Sequence, residues 1–495
     1  MSTPIPPNEA EITAWEIAAL TSGVVRKVNG EGRKARGVTT DSRAVVAGGA
    51  FVALRGEIHD GHRFVEAAVK AGAVIAVVER GSDVSAPGAD VVEVPDTLAA
   101  WGAIARLHLD RWRRRAGERP ARTLCITGSA GKTTTKELCA ALLAQVGPTL
   151  STPGNLNNRI GLPAVAFTVN DAIAYTVLEA GMSLPGEIAE LASIARPDVG
   201  LVTNVGLAHA EGVGGTRSHV GREKGALYAA LSANDHAIVN ADDGAAMGQA
   251  ARTRARDIRT FGRAKGATYK LIDRVALGLA GSRVTIERPC GDCASPSARE
   301  IVELRLPLVG EVAALDLCSA IAAAEATIGR PLAVAEMEQA LDALGHVGGR
   351  AAAVELEGDV VVIDDSYNAN PGSVRAALGT LADLAGSTHR MICVLGEMKE
   401  LGPSSADEHE SLGGAIAAAR VAVLVTCGGL ATKTAHRAAE AGVDVRIASD
   451  SDEGASLLLD LVQPGDVVLV KGSRSVKTEI VVRALVASRG RKEGT

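Results

Sequence analysis

A short glycine loop between an apolar segment and a helix constrains this chain most. Residues 126–136 have the sequence Ile-Thr-Gly-Ser-Ala-Gly-Lys-Thr-Thr-Thr-Lys, and residues 123–126 are suited to a buried strand. In such a strand, loop and helix, the backbone N–H groups of residues 128–132 can face phosphate oxygens. Lys132 can then reach the β and γ phosphates, and Thr133 can bind a magnesium ion. The motif predicts an α/β domain that binds and uses ATP.

The spacing within this loop is unusual. The common phosphate loop has four residues between its first glycine and the Gly-Lys pair, whereas only Ser129 and Ala130 separate Gly128 from Gly131. Phosphate loops also occur in kinases, GTPases, transporters and ligases, so residues further along the chain must distinguish between these classes.

The length of the chain and its alternating pattern predict three α/β domains. A chain of 495 residues is too long for one hydrophobic core. Short apolar segments alternate with helical patterns, which is typical of mostly parallel sheets covered on both faces, although residues 269–308 have the period-two pattern of antiparallel strands. An Arg-, Gly- and Pro-rich segment at 113–121 is interpreted as a linker. We expect a small α/β N-terminal domain (1–115), a central P-loop ATPase-type domain with a mostly parallel sheet (116–346) and a Rossmann-like C-terminal domain (347–495).

Charge and hydropathy argue against several classes of partner. The formal net charge of −6 gives no overall basic surface for a nucleic acid. Apolar stretches are interrupted before they reach membrane-spanning length, so no membrane insertion is expected. Residues 1–11 lack the basic and apolar regions of a secretory signal, which favours a cytoplasmic location.

Three polar residues downstream of the loop are candidates for the same site. Glu179 ends a predicted strand, at the sheet edge where open α/β folds bind ligands, and is suited to magnesium; a capping or salt-bridged glutamate is the alternative. His209 follows another strand end, and a histidine there is more often a hydrogen-bonding residue than a metal ligand. Lys224, at a predicted helix start, is by its local sequence typical of a solvated surface lysine.

Taken together and in order, these motifs resemble those of the Mur ligases of peptidoglycan synthesis. The resemblance is carried by the shortened loop, Thr152-Pro-Gly-Asn-Leu-Asn-Asn158, Glu179, Ala208-His209 and Lys224-Gly225. It implies that Glu179 and His209 bind magnesium together with Thr133, and that Lys224 is carbamylated by carbon dioxide. A carbamate converts a cation into an oxygen-donor anion suited to this hard metal. The resemblance thereby assigns Lys132, Glu179, His209 and Lys224 as catalytic residues.

Further motifs resemble one branch of the family, the ligases that join D-alanyl-D-alanine to a UDP-N-acetylmuramoyl tripeptide. These motifs are Asp364-Asp-Ser-Tyr-Asn-Ala-Asn-Pro371, Leu395-Gly-Glu-Met-Lys-Glu-Leu-Gly402, Thr40-Asp-Ser-Arg43 and Lys471-Gly-Ser-Arg474. The resemblance implies ATP as cofactor, bound by Gly128, Ser129, Ala130, Gly131, Lys132, Thr133, Thr134, Arg350 and Asp365. It implies substrate binding by Ser42, Arg43, Asn157, Asn158, Asn368 and Asn370. A monomer whose domains close on the substrate is expected.

One stretch departs from the family pattern, and three rival functions stay open. Where the family has Gly-x-His-Asn and a further Asn, this chain has Gly310-Glu-Val-Ala313 and Asp316, so we assign no nucleotide contact there. The rivals are a Mur-type ligase that adds the third amino acid, a folylpolyglutamate synthase, and a nucleotide-binding protein without catalytic activity. The joint presence of Lys132, Glu179, His209 and Lys224 argues against the last of these.

Overall fold

The computed structural model describes residues 5–27, 33–56, 59–291, 298–344 and 352–492. The strands are β1 (Glu11–Thr13), β2 (Val24–Lys27), β3 (Lys34–Arg36), β4 (Val38–Thr39), β5 (Ala50–Val52), β6 (Ile75–Glu79), β7 (Asp90–Val94), β8 (Arg122–Thr127), β9 (Thr149–Ser151), β10 (Tyr175–Glu179), β11 (Val199–Val202), β12 (His236–Asn240), β13 (Asp257–Gly262), β14 (Tyr269–Ala276), β15 (Ser282–Pro289), β16 (Arg299–Leu306), β17 (Ala352–Leu356), β18 (Val360–Asp365), β19 (Met391–Gly396), β20 (Val423–Cys427), β21 (Asp444–Ala448) and β22 (Val467–Lys471).

The helices are α1 (Ala14–Thr21), α2 (Val65–Lys70), α3 (Thr97–Ala116), α4 (Lys132–Ala144), α5 (Gly161–Ala166), α6 (Glu187–Ala195), α7 (Arg217–Lys224), α8 (Ala226–Ala229), α9 (Gly244–Ala250), α10 (Glu311–Ile328), α11 (Val334–Asp342), α12 (Pro371–Ala385), α13 (Ser405–Ala418), α14 (Ala431–Glu440), α15 (Ser451–Leu461) and α16 (Glu479–Arg489). Within the described ranges, no helix combines the length and apolar character needed to cross a membrane.

The chain separates into two compact units, which are described individually. The first comprises Met1–Ile126, Val146–Met182 and Gly186–Val199, and the second comprises Thr127–Gln145, Ser183–Pro185 and Gly200–Thr495. The predicted α/β class with mostly parallel sheets is confirmed by both units. The boundaries of the three expected domains stay a prediction.

In the first unit, a five-stranded sheet has the order β2-β7-β6-β5-β4, with parallel pairing except between β2 and β7. Strands β8 and β9 both pair with β10 in parallel. Helix α3 begins after Asp96, whose carboxylate accepts from the N–H groups of the first turn. Its buried Trp101 and Trp112 donate their indole N–H groups to the carbonyls of Ile160 and Ile173, each at 3.0 Å. Helix α3 ends at Ala116, so residues 113–116, the first part of the predicted linker, are helical.

In the second unit, β12, β13 and β14 pair in parallel and are followed by the antiparallel strands β15 and β16. The predicted antiparallel section at residues 269–308 is thereby confirmed.

The C-terminal part of the second unit is a six-stranded doubly wound sheet, ordered β17-β18-β22-β19-β20-β21. Alternate residues of β19 show why both faces are covered: Cys393 and Leu395 belong to the core formed with α12 and α13, whereas Ile392 and Val394 belong to the core formed with α15 and α16. Strand β22 lies between β18 and β19, which brings the carboxyl ends of these three strands to one edge. Ligands bind at such an edge in open α/β sheets.

Candidate nucleotide site

The phosphate loop joins β8 to α4, and its backbone requires glycine at both ends. Gly128 has φ +156°, and a Cβ there would lie 1.8 Å from Thr203 Oγ1. Gly131 has φ +80°, and its Cβ would lie 2.5 Å from Asp316 Oδ1. In the described part of the chain, no side chain caps the start of α4. The first N–H groups of this helix are therefore suited to an anion.

The segment after β11 fixes the middle of the loop. Asn204 accepts from the Ser129 N–H through its carbonyl and from the Ala130 N–H through its side chain, both at 3.0 Å. Thr203 Oγ1 and Asn204 Nδ2 donate to the Ala130 carbonyl, at 2.5 and 3.0 Å. Ser129 Oγ accepts from the Gly206 N–H at 2.8 Å. The structure thus differs from the expectation for residues 128–132, because the N–H groups of Ser129 and Ala130 are already bonded to Asn204.

Two lysine side chains converge on one carbonyl of the loop. Lys132 Nζ donates to the Gly128 carbonyl at 2.8 Å, and Lys224 Nζ donates to the same oxygen at 3.0 Å. The Nζ atoms of Lys132 and Lys224 therefore lie close together at this end of the loop. Both are donors suited to phosphate oxygens.

Lys224 is buried, contrary to its local sequence. It is the last residue of α7, rather than the first residue of a helix, and only 1% of its surface is exposed. Burial, and secondly the charge of Lys132, lower the pKa of Lys224 well below its usual range. None of the described acidic side chains forms an ion pair with it. The interpretation of Lys224 as a solvated surface residue is therefore wrong.

His209 meets an acidic residue from the C-terminal part of the second unit. Its Nδ1 lies 2.5 Å from Glu400 Oε2. Both residues have left-handed backbone conformations, with φ +61° at His209 and +63° at Glu400. The histidine ring holds the pKa of Glu400 below its usual range. Sequence spacing gives no sign of this contact.

Glu179 is oriented by neighbours within the first unit. It ends β10 and is 1% exposed. Asn157 Nδ2 donates to Glu179 Oε1 at 2.7 Å, and Thr152 Oγ1 accepts from the Glu179 N–H at 3.0 Å. Asn158 instead accepts from the N–H groups of Ile160 and Gly161 at the start of α5. Of the two predicted asparagines, Asn157 therefore holds the carboxylate and Asn158 shapes the turn.

At the C-terminal sheet edge, Asp365 forms an ion pair with the buried Lys471. Lys471 Nζ also donates to the Asn368 carbonyl at 3.0 Å. Asn370 caps α12 and donates through Nδ2 to the Ser129 carbonyl at 3.3 Å. Lys471 of β22 thus fixes the backbone of Asn368, and Asn370 contacts the phosphate loop.

Two predicted binding groups remain. Arg43 is exposed and paired with Asp41, with Nη2 to Oδ2 at 2.7 Å, and Ser42 lies in the turn between them. Arg350, predicted to bind ATP, lies outside the described residues.

Comparisons with known proteins identify the family of this chain. Family models match residues 34–108 (Mur ligase family, catalytic domain), 126–324 (Mur ligase middle domain) and 349–474 (Mur ligase, glutamate ligase domain). The chain is 35% identical over 450 residues to the UDP-N-acetylmuramoyl-tripeptide--D-alanyl-D-alanine ligase of Escherichia coli strain K12, covering 90% of this chain and 93% of the relative. The chain belongs to the Mur ligase family.

Solved structures of the family have the same fold as this Mur ligase. This chain matches a MurF from Acinetobacter baumannii with a TM-score of 0.82 and 28% identity, and the match covers 98% of this chain and 100% of the other. It matches a MurF ligase from Thermotoga maritima in complex with ADP with a TM-score of 0.75 and 28% identity, covering 90% and 96% of the two chains.

The residues of this Mur ligase site would hold magnesium only together with oxygen ligands from water and from the substrate phosphates. Among the described residues there is no group of three His, Cys, Asp or Glu side chains close enough to hold a metal. Magnesium, however, usually takes only one or two protein carboxylates and completes its shell with water and substrate phosphates. The Thr133 hydroxyl, at the start of α4, is the type of ligand that the metal takes in phosphate loops. The residues therefore fit a magnesium–nucleotide complex rather than a permanently bound metal.

Four residues that shape this Mur ligase site are absent from the predicted site residues. They are Thr203, Asn204, Asp316 and Glu400. Thr203 and Asn204 directly follow β11, and a polar pair at a strand end was the signal that could have identified them. Asp316 is 6% exposed and lies against Gly131. Its place in the altered 310–316 stretch gave no such signal.

Proposed function

We propose that this chain joins D-alanyl-D-alanine to a UDP-N-acetylmuramoyl tripeptide with cleavage of ATP to ADP and inorganic phosphate. The observation that carries the proposal is the shortened glycine loop with Lys132 and Lys224 on the same Gly128 carbonyl. Such a site is suited to a highly charged phosphate chain. The substrates follow from the identity of 35% over 450 residues with the ligase of that name.

The reaction has two balanced steps. A carboxylate oxygen of the tripeptide attacks the γ phosphorus of ATP, the bond to the β–γ bridging oxygen breaks, and ADP leaves. The amine of D-alanyl-D-alanine then attacks the carbonyl carbon of the acyl phosphate. The tetrahedral intermediate loses inorganic phosphate and a proton from nitrogen, which leaves the amide.

The residues of the loop act mainly by charge and position. In phosphoryl transfer the protein contributes electrostatic stabilisation and alignment rather than covalent chemistry. Lys132 moves from the Gly128 carbonyl to the phosphate oxygens, and the positive end of the α4 dipole attracts the same chain of phosphates. The family resemblance implies that Thr133, Glu179 and His209 would hold magnesium, which would offset further negative charge. Asn204 keeps the loop in shape before ATP binds.

Lys224 is proposed to be carbamylated. Its amine attacks carbon dioxide, and loss of one proton leaves a carbamate anion. Carbon dioxide reacts only with the neutral amine, and the burial of Lys224 beside Lys132 favours that form. A carbamate would also pair with Lys132 and present oxygen donors to magnesium. It would therefore place negative charge beside Lys132.

Replacement of Lys224 by alanine tests the carbamate. We expect Lys224→Ala to lose activity and short carboxylic acids such as acetate to restore part of it, because they can occupy the place of the carbamate. Lys265→Ala, at an exposed lysine, serves as the control and should neither lose activity nor respond to acetate. Loss of activity without rescue would mean that the ammonium itself is required.

The substrate contacts rest on the family resemblance. Ser42 and Arg43 would bind the UDP-sugar end, and Asn157 and Asn158 the region near Glu179. Asn368 and Asn370 would bind the dipeptide at the C-terminal sheet edge, and the resemblance implies that Arg350 and Asp365 bind ATP. A monomer is expected to carry all of these contacts.

Release of phosphate by the purified protein tests the whole proposal. The assay contains ATP, magnesium, UDP-N-acetylmuramoyl tripeptide and D-alanyl-D-alanine, and each is omitted in turn. We expect release to require all four. Release with a free amino acid and a UDP-muramoyl dipeptide would instead identify a ligase for the third residue, and release with a folate and glutamate would identify a folylpolyglutamate synthase.

A further inference from the structure

Two loops of the second unit meet beside the nucleotide site. The histidine loop, residues 209–215, follows β11, and the glutamate loop, residues 397–403, follows β19. Besides the contact between His209 and Glu400, the Glu211 N–H donates to the Glu400 carbonyl at 3.2 Å. A Cβ on Gly215 would lie 3.2 Å from Pro403 Cδ. The loops are therefore in contact over several residues.

The two residues that touch are the ones with unusual backbones. Non-glycine residues with positive φ are uncommon, and they persist only where the surrounding structure holds them. His209 and Glu400 both have this conformation. It directs their side chains towards each other, which indicates that the contact is a built feature of the two loops.

The glutamate loop is held firmly within the C-terminal part of the unit. The Met398 N–H donates to His409 Nε2 at 3.0 Å, and the Lys399 N–H donates to Ser473 Oγ at 2.9 Å. The Glu397 N–H bonds to the Cys427 carbonyl at 3.2 Å. Neighbouring strand ends thus fix the loop that carries Glu400, and Glu400 can act as a rigid support for the histidine ring.

We propose that Glu400 is a positioning residue that orients the His209 imidazole for the magnesium–nucleotide complex. His209 Nδ1 lies 2.5 Å from Glu400 Oε2 in an ion-pair contact whose angle is not that of a hydrogen bond, and Nε2 is on the other side of the ring. Histidines that bind metals nearly always donate the other ring N–H to a carboxylate, carbonyl or water, which fixes the tautomer. Because Glu400 lies at the C-terminal sheet edge, the histidine is correctly held only when the two loops are docked.

This inference rests on the proposed function, and binding of ADP separates the two. Isothermal titration measures ADP affinity with magnesium and with EDTA in wild type, Glu400→Ala, Glu400→Gln and His209→Gln. We expect Glu400→Ala to weaken ADP binding about 10-fold with magnesium and to leave it unchanged in EDTA. Glu400→Gln keeps the size of the side chain and should show a smaller loss of the same kind. Glu410→Gln, at an exposed glutamate on α13, is the matched control.

The double variant decides whether Glu400 acts through His209. In Glu400→Ala/His209→Gln, ADP binding should be no weaker than in His209→Gln alone, because both changes remove one interaction. Additive losses, or equal losses with magnesium and with EDTA, would overturn the inference. An unchanged magnesium effect in His209→Gln would instead refute the proposed role of His209 itself.

Discussion

Two buried basic residues of the second unit, Lys224 and Arg288, differ in their neighbours: Arg288 contacts carboxylates, whereas Lys224 contacts a carbonyl and another lysine. Arg288 is 2% exposed and forms ion pairs with Glu325 and with Glu300, the latter at 2.9 Å. It also donates to the Leu332 carbonyl at 2.8 Å. Lys224 is 1% exposed and has a carbonyl and a second lysine as its neighbours.

The pairing around Arg288 extends to every polar atom of its main partner. Glu325 accepts from Tyr269 Oη at 2.7 Å and from the Leu332 N–H at 3.0 Å. Burial raises the pKa of Glu325, and the charge of Arg288 opposes that rise. Both oxygens of Glu325 have hydrogen-bond donors within the protein, so we interpret this cluster as structural.

The site of Lys224 is incomplete in the protein alone. Burying a charge without a partner costs free energy, and proteins normally avoid it. At the phosphate loop, burial and the charge of Lys132 disfavour the charged form of Lys224. An anionic ligand, or a carbamate on Lys224, would offset that free-energy cost. The comparison teaches that the missing partner, rather than the burial itself, marks the functional cation.

The largest expected effect is on stability at Arg288. Arg288→Met leaves Glu325 buried without its cation, so we expect a loss of about 3–5 kcal/mol in the free energy of unfolding. Urea unfolding followed by circular dichroism measures it. Arg305→Met, at an exposed arginine of β16, is the control, and the added change Glu325→Gln should recover much of the loss. A change as small as that of the control would break the comparison.

Lys224 should show the opposite behaviour. Lys224→Met replaces a buried amine, whose charged form burial disfavours, by an apolar side chain of similar length, so the melting temperature should stay the same or rise. Ligase activity should fall by about 10²–10³-fold, as it does when a group that stabilises transition-state charge is lost. Lys265→Met controls for the loss of a surface lysine. A clear drop in melting temperature would show that Lys224 supports the fold.

Local sequence predicted the loop but not the burial of the residues around it. Gly128, Gly131 and Lys132 belong to a local motif, and the structure has the predicted order of strand, loop and helix around it. The bonds from Ser129 and Ala130 to Asn204 were not predicted, because they join distant parts of the chain. Lys224 stands in a polar stretch, and only tertiary packing buries it. Likewise, the contact between His209 and Glu400 joins residues far apart in sequence, and spacing carries no record of such a pair.

The fold shows the same limit. The alternating apolar segments predicted the α/β class of the C-terminal domain, because periodicity is a local property. They did not give the place of β22 between β18 and β19, which brings Lys471 beside Asp365. Strand order depends on long-range packing, and the binding edge of the sheet follows from it.

The smallest expected effect is on the pH dependence of stability at His409, a buried histidine whose neutral form is favoured. His409 accepts from the Met398 N–H at Nε2, which places its proton on Nδ1, towards the Ser405 carbonyl at 2.7 Å. Burial lowers the pKa of His409. Bonding to Ser405 and the charges of Glu397 and Glu408 oppose that shift, and the charge of Lys399 adds to it.

Because the folded state binds fewer protons at His409, its contribution to stability is present above the unfolded pKa of about 6.5 and is lost as the pH falls below it. We therefore expect the melting temperature to fall between pH 7.5 and 5.5, and to fall less in His409→Gln, whose amide can still accept from Met398. His436→Gln, at an exposed histidine of α14, should behave as wild type. If the melting temperature of His409→Gln fell with pH as much as that of wild type, protonation of His409 would not be the cause of the loss of stability in acid.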